Sequence, residues 1–366
     1  MILGKKLLLT VAFLVTAVSS AVAASENRGE APCSSAAIAA GSLGSGQVSI
    51  TLARKLNLET QVLGMTWSAD SKLIATTEGL NWTIEIWEAA TGALINIIHK
   101  QPGGGVGILF TPDGKSVITP SLDSPQVAFA LIDIHTGQPV RSVIGPNDTS
   151  DFAAANQPKF FTLSPDGENL FVSFNLPDTH IHIYNTSTWA EIGTIPDLAY
   201  RMSGGPADDE LTTLAPDGTV RIWNVRNRTL TRQFALQEHC NEMAISAKAC
   251  LIATAKPDGK NLNMSTGQIE SGFDERPIYL WSLDKTFLIG RGSAMQPVAG
   301  LVFNPDATLL ATVTGSKSVV VFPTHDLSAA QTLVQFKAHA SAIAFSPDGR
   351  SLAAAGDSRI VIFNVQ

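Results

Sequence analysis

Few side chains in this sequence are spaced for chemistry. His180 and His182 flank Ile181, so on a strand they point to the same side. Paired imidazoles can ligate a metal, but no third ligand accompanies them, and no metal site is expected. His239, Thr254, Asp258 and Trp281 gather an imidazole, a hydroxyl, a carboxylate and an indole, and so invite a catalytic reading. Asp274-Glu275-Arg276 reads as a solvated loop segment rather than a catalytic set. His-Glu-x-x-His, Cys-x-x-Cys, a phosphate-binding glycine loop and Gly-x-Ser-x-Gly are all missing from the sequence. No cofactor is therefore expected. Cys33, Cys240 and Cys250 are an odd set, so at least one thiol is left unpaired within the chain. Cys240 and Cys250 fall near opposite ends of one hairpin, too far apart to bridge. A link from Cys33 to either stays open, with free buried thiols as the expectation.

The elements that must position these residues repeat. Ser-Pro-Asp-Gly occurs at 164–167 and 346–349, Thr-Pro-Asp-Gly at 111–114 and Asn-Pro-Asp-Ala at 304–307. Ser-Ala-Asp-Ser at 68–71 is a degenerate copy, and weaker ones stand at 205–208 and 246–249. Each lies between two apolar runs. Proline presets φ, aspartate supplies a side-chain acceptor and glycine tolerates positive φ, so each copy predicts a hairpin turn. The seven turns recur about every 42 residues, with two longer gaps, which is the length of a four-stranded blade.

A second register agrees. Ile86-Trp87-Glu88, Leu131-Ile132-Asp133, Ile183-Tyr184-Asn185, Ile222-Trp223-Asn224, Leu280-Trp281-Ser282, Val321-Phe322-Pro323 and Ile362-Phe363-Asn364 each end an apolar strand, one per turn. Thr219-Val220-Arg221-Ile222-Trp223-Asn224 closely resembles the third strand of a WD40 repeat. His239 and His339 fall where that family often has a Gly-His pair, although glycine is absent here. The resemblance covers residues 47–366 and implies an all-β, seven-bladed β-propeller. It also implies that His239, Thr254, Asp258 and Trp281 form a structural hydrogen-bond network rather than a catalytic one. Blade four keeps Thr213, Asp217 and Trp223 of that network but lacks the histidine.

The seventh repeat stops after its third strand. The alternating segment Val48-Ser49-Ile50-Thr51-Leu52, within 47–56, is expected to supply the missing outer strand and close the ring. Residues 25–46, rich in Ala, Ser and Gly, read as a flexible leader. Ahead of them, Lys5 and Lys6, an apolar run from Leu7 to Val18 and Ala21-Val22-Ala23 have the order of a cleaved signal peptide over 1–24. That run falls short of the roughly 20 apolar residues a membrane span needs, so no transmembrane segment is expected after cleavage. The expected location is outside the cytoplasm, periplasmic or secreted.

The formal net charge of −7, with no basic cluster, argues against a nucleic-acid partner. Both long inserts, Gly145–Pro158 and Gly259–Pro277, fall on the face that carries the d–a and b–c loops. Trp82, His99, Tyr200, Arg201, Phe273, Asp274 and Arg276 are expected near that face as partner-binding residues. The function expected first is a noncatalytic protein-binding module or scaffold. The alternative is an exported propeller enzyme or redox subunit, similar to lactonases or quinoprotein subunits, with its site at the channel mouth.

Overall fold

The computed structural model describes residues 48–79, 83–99, 107–121, 126–146, 157–205, 207–236, 240, 242–246, 249–255, 260–263, 268–271, 277–283, 288–294, 296, 298–315, 317–337 and 340–366. They form seven four-stranded antiparallel sheets, with strands a to d running outward in each. Blade one is Val62–Trp67, Leu73–Glu78, Ile84–Glu88 and Leu94–Ile98. Blade two is Leu109–Phe110, Ser116–Pro120, Val127–Asp133 and Pro139–Ile144. Blade three is Pro158–Leu163, Asn169–Phe174, Ile181–Asn185 and Glu191–Ile195. Blade four is Arg201–Gly204, Glu210–Leu214, Thr219–Asn224 and Thr229–Ala235. Blade five is Glu242–Ser246, Leu251–Ala255, Pro277–Ser282 and Leu288–Ser293. Blade six is Val298–Phe303, Leu309–Thr314, Ser318–Pro323 and Gln331–Gln335. Blade seven takes Ala340–Phe345, Ser351–Gly356 and Arg359–Val365 from the far end of the chain and Ile50–Asn57 from the near end.

That last pairing is the expected closure. Ile50 lies opposite Val365 and Asn57 opposite Arg359, so the outermost strand of the last blade comes from the start of the domain. The a strands of neighbouring blades contact one another, which makes them the innermost layer. Core clusters bridge successive blades rather than sitting inside one. One joins Phe336, Val319 and Val321 of blade six to Phe345, Val361 and Phe363 of blade seven. Another joins Trp67, Met65 and Trp87 of blade one to Ala344 and Ile362 of blade seven. Buried on both faces, the b and c strands read as continuous apolar runs for that reason. Ser318 to Phe322, for example, is buried throughout.

The Pro-Asp-Gly turns are built alike. In blade two the Thr111 hydroxyl donates to Asp113 Oδ1 at 2.6 Å, and the Lys115 amide donates to the same oxygen at 3.1 Å. The Ser116 amide donates to Thr111 Oγ1 at 3.1 Å. Ser68-Asp70, Ser164-Asp166 and Ser346-Asp348 repeat the arrangement. Gly114, Gly167 and Gly349 take φ of +69°, +74° and +73° there, in the left-handed region that glycine enters without strain.

One expectation needs correction at this level. The second insert, read from sequence as a plain loop, carries a small antiparallel pair, Lys260–Asn263 with Gln268–Ser271, standing off blade five.

Candidate functional site

On the face carrying the d–a and b–c loops, the starts of three a strands converge. Lys159 and Phe160 open blade three, Tyr200 and Arg201 open blade four, and Glu242 opens blade five. The Lys159 ammonium lies 5.6 Å from the Phe160 ring centroid and 5.2 Å from that of Tyr200. The Arg201 guanidinium lies 4.9 Å from the Phe160 ring centroid. Arg201 also grips Glu242 with both arms, Nε donating to Oε2 at 3.2 Å and Nη2 to Oε1. Its Nη1 donates to the Tyr200 carbonyl at 3.0 Å.

The electrostatics of this rim are graded by depth. Burial pushes the Glu242 carboxyl up, against the pull of Arg201. Burial, followed by the neighbouring Arg201 charge, pulls the Lys159 ammonium below the usual lysine range. Arg201 has a carboxylate partner in Glu242, whereas among the described residues Lys159 forms no ion pair. Its charge rests over two aromatic faces instead, each worth about 0.5–1 kcal/mol at a partly exposed site. Tyr200 is 40% exposed. The arrangement offers an aromatic surface with an unneutralised cation at its centre, which suits contact with an acidic or carboxylate-bearing group.

Of the residues expected on this face, Tyr200 and Arg201 thus come together, and His99 is exposed at the end of the outer strand of blade one. Trp82, Phe273, Asp274 and Arg276 lie outside the described residues. Sequence reasoning missed Lys159, Phe160 and Glu242. The available signal was positional: each starts an a strand just after a d–a loop, as Arg201 does.

Part of the polar network resembling that of WD40 blades is present among the described residues. In blade five, Trp281 Nε1 donates to Thr254 Oγ1 at 2.9 Å, while His239 and Asp258 lie outside the described residues. In blade four, Trp223 Nε1 donates to Asp197 Oδ2 at 3.1 Å and to Thr213 Oγ1 at 3.3 Å. The Thr213 hydroxyl donates to Asp197 Oδ2 at 2.5 Å. Asp197, on the d–a loop, therefore occupies the acceptor position left by the missing histidine. Arg221 balances its charge through Nη1 at 2.9 Å and reaches Asp217 through Nη2 at 3.1 Å. Asp217 accordingly serves Arg221 and the Thr219 amide rather than the indole.

His180 and His182 do meet a common group, which the sequence reading did not identify. Asp178 Oδ2 lies 2.9 Å from His182 Nε2, and Asp178 Oδ1 lies 3.5 Å from His180 Nδ1. His182 is buried and also has Glu191 Oε1 at 3.2 Å from Nδ1, although that contact lacks hydrogen-bond geometry. A cavity of about 350 Å³ opens beside them, lined by Pro146, Asp178, His180, His182 and Thr194. Among the described residues no three His, Cys, Asp or Glu side chains form a metal-binding group. The cysteine expectation is half corrected: Cys240 is a buried thiol, but Cys250 is disulfide-bonded.

Comparison with known proteins adds the family. The model of "WD domain, G-beta repeat" matches residues 330–364, which is the outer strand of blade six and three strands of blade seven. The chain is similar to Protein hir-1 of Neurospora crassa, 25% identical over 201 residues, covering 50% of this chain and 19% of that protein. It is also similar to an uncharacterized WD repeat-containing protein, sll1491, of Synechocystis, 39% identical over 59 residues, covering 16% of this chain and 17% of that protein. The chain thus spans about a fifth of the length of these curated relatives. The closed ring of seven four-stranded blades is a seven-bladed β-propeller, and the stretch from the outer strand of blade six through blade seven matches the WD40 repeat.

Proposed function

We propose that the protein is an exported, noncatalytic scaffold that holds a protein partner on the d–a and b–c face, with Lys159, Phe160, Tyr200 and Arg201 as its central contact. One observation carries the reading: an exposed aromatic and cationic rim, built on strand ends of a rigid ring, where Lys159 lacks a carboxylate partner among the described residues. WD40 propellers generally mediate protein interactions, which supports the coarser part of it. The disulfide at Cys250 supports export, since such bonds persist in oxidising compartments. No helix among the described residues is long and apolar enough to cross a membrane.

The test is capture of partners from the exported fraction with wild-type protein and with Tyr200→Ala and Lys159→Glu. Both variants replace partly exposed side chains, so their melting temperatures stay within a few degrees of wild type. A partner held by wild type and lost, at least tenfold, from Lys159→Glu supports the reading. Equal capture by all three proteins rules out this rim.

The alternative, an enzyme or redox subunit at the channel mouth, needs acids and bases free to act there. In the described rim the carboxylate of Glu242 is instead committed to Arg201. Turnover of a lactone or a dye-linked oxidation by the purified protein would favour that alternative.

A further inference from the structure

Blade one carries two acids where blade four shows a settled network. Glu78, at the end of strand b, is 2% exposed and Glu85, on strand c, is 5% exposed. Thr76 lies directly opposite Glu85 in the sheet register, and Glu78 is two residues further along the same strand. All three side chains therefore share one face of the blade. After burial, Glu78 is the main influence holding the Glu85 carboxyl above its ordinary value. Thr60 donates to Glu78 Oε2 at 2.6 Å. Yet among the described residues Glu78 Oε1, Glu85 Oε2 and Thr76 Oγ1 are buried with no hydrogen-bond partner, as are Thr77 Oγ1 and Gln61 Nε2. Trp87 Nε1 is near Glu85 but makes no full hydrogen bond.

The comparison with blade four shows what is missing. Glu85 stands at the register position of Arg221, opposite the strand-b threonine, and Thr60 stands where Asp197 does, five residues before the partner of that threonine. In blade four a cation faces a carboxylate. In blade one a second carboxylate has replaced the cation, and no ion pair between described residues reaches either glutamate. Two buried like charges need a counter-charge. One shared proton would supply a single bond and leave the Thr76 hydroxyl and at least one carboxylate oxygen orphaned.

We propose that Glu78, Glu85 and the Thr76 hydroxyl bind a hard divalent cation of the calcium or magnesium kind, and that the ion fastens the closing strand to blade one. The donors are all oxygen, which is the preference of such ions. Two carboxylates neutralise a charge of +2. Waters complete the coordination shell, because three protein oxygens fall short of six. Thr60 and Gln61 follow the closing strand Ile50–Asn57 by a few residues. Through Thr60 the ion's ligand Glu78 is tied to the segment that completes blade seven.

The experiment uses chelator-treated full-length protein. Its melting temperature is measured with and without 1 mM calcium or magnesium, alongside Glu85→Gln and Glu78→Gln. A gain of about 5 °C is expected in wild type for an ion at a hundredfold excess over its dissociation constant, and less than about 1 °C in either variant. Terbium emission excited through tryptophan gives a second readout that needs no carboxylate variant. It is expected from wild type, quenched by calcium and at least halved in Trp87→Phe. No thermal response in wild type, an equal response in the glutamine variants, or terbium emission indifferent to Trp87→Phe would each overturn the proposal.

Discussion

Asp197 shows how one acceptor can organise a blade. It takes hydrogen bonds from Thr213, Trp223 and Arg221, and its own side chain is almost fully buried. Asp197→Ala removes all three acceptor contacts and leaves a partly buried guanidinium without its main partner, so a loss of about 3 kcal/mol is expected in denaturant unfolding. Asp217 also pairs with Arg221, but its side chain is 59% exposed, and Asp217→Ala is expected to cost less than about 1 kcal/mol. Glu85 sets a pH dependence of the opposite kind to ordinary surface acids. Burial first, then the charge and hydrogen bond of Glu78, push its carboxyl up to about 8 from 4.5. Without divalent cation, the folded protein keeps a proton there that the unfolded chain releases. Stability is then greatest below about pH 4.5 for this group and falls as pH rises towards 8, by at most about 1.4 kcal/mol per pH unit. Thermal melts of chelated protein across that range should show the decline, and Glu85→Gln should flatten it.

Among the elements, the a–b turns were legible in the sequence because their chemistry is local: the same hydroxyl, aspartate and glycine recur within six residues. Exceptions also have local compensation. Ala307 holds φ of +59° but is fully buried within the core between blades five and six. Replacing it with glycine relieves a backbone cost of about 1 kcal/mol and forfeits a buried methyl of similar worth, so Ala307→Gly is expected near neutral. Gly114 has φ of +69° and open space around a would-be Cβ, so Gly114→Ala is expected to lose about 1 kcal/mol from the backbone alone. Chemical denaturation of the pair separates the two terms. The rim was only half legible. Tyr200 and Arg201 were found by their loop, but Phe160, Lys159 and Glu242 meet them only across blade boundaries, and such contacts have no fixed spacing in the chain. The same applies to Asp197, which sits 16 residues from Thr213 and 26 from Trp223.

At the level of the whole ring, the blade count and the closure followed from sequence because a missing fourth strand at one end and a spare alternating strand at the other fit together only one way. The pairing of Ile50–Asn57 with Arg359–Val365 has the cooperative weight of a clasp, since blade seven packs on blade one through Trp67, whose indole donates to the Ala344 carbonyl at 3.2 Å. Deleting 50–57 is expected to abolish cooperative melting of the entire domain, as followed by circular dichroism; a normal sharp transition in that truncation would show the clasp to be dispensable. The clasp also has a consequence in time. Ribosomes add about 5–20 residues per second, and roughly 300 residues separate the two halves of the clasp, so the first strand made waits about 15–60 s for the last. Until residues 359–365 emerge, at most six blades can assemble, and any ring formed before then has an open seam. The unpaired edge of Arg359–Val365 is covered only when Ile50–Asn57 docks on it, so the last step of folding is also the step that removes the sheet's exposed edge.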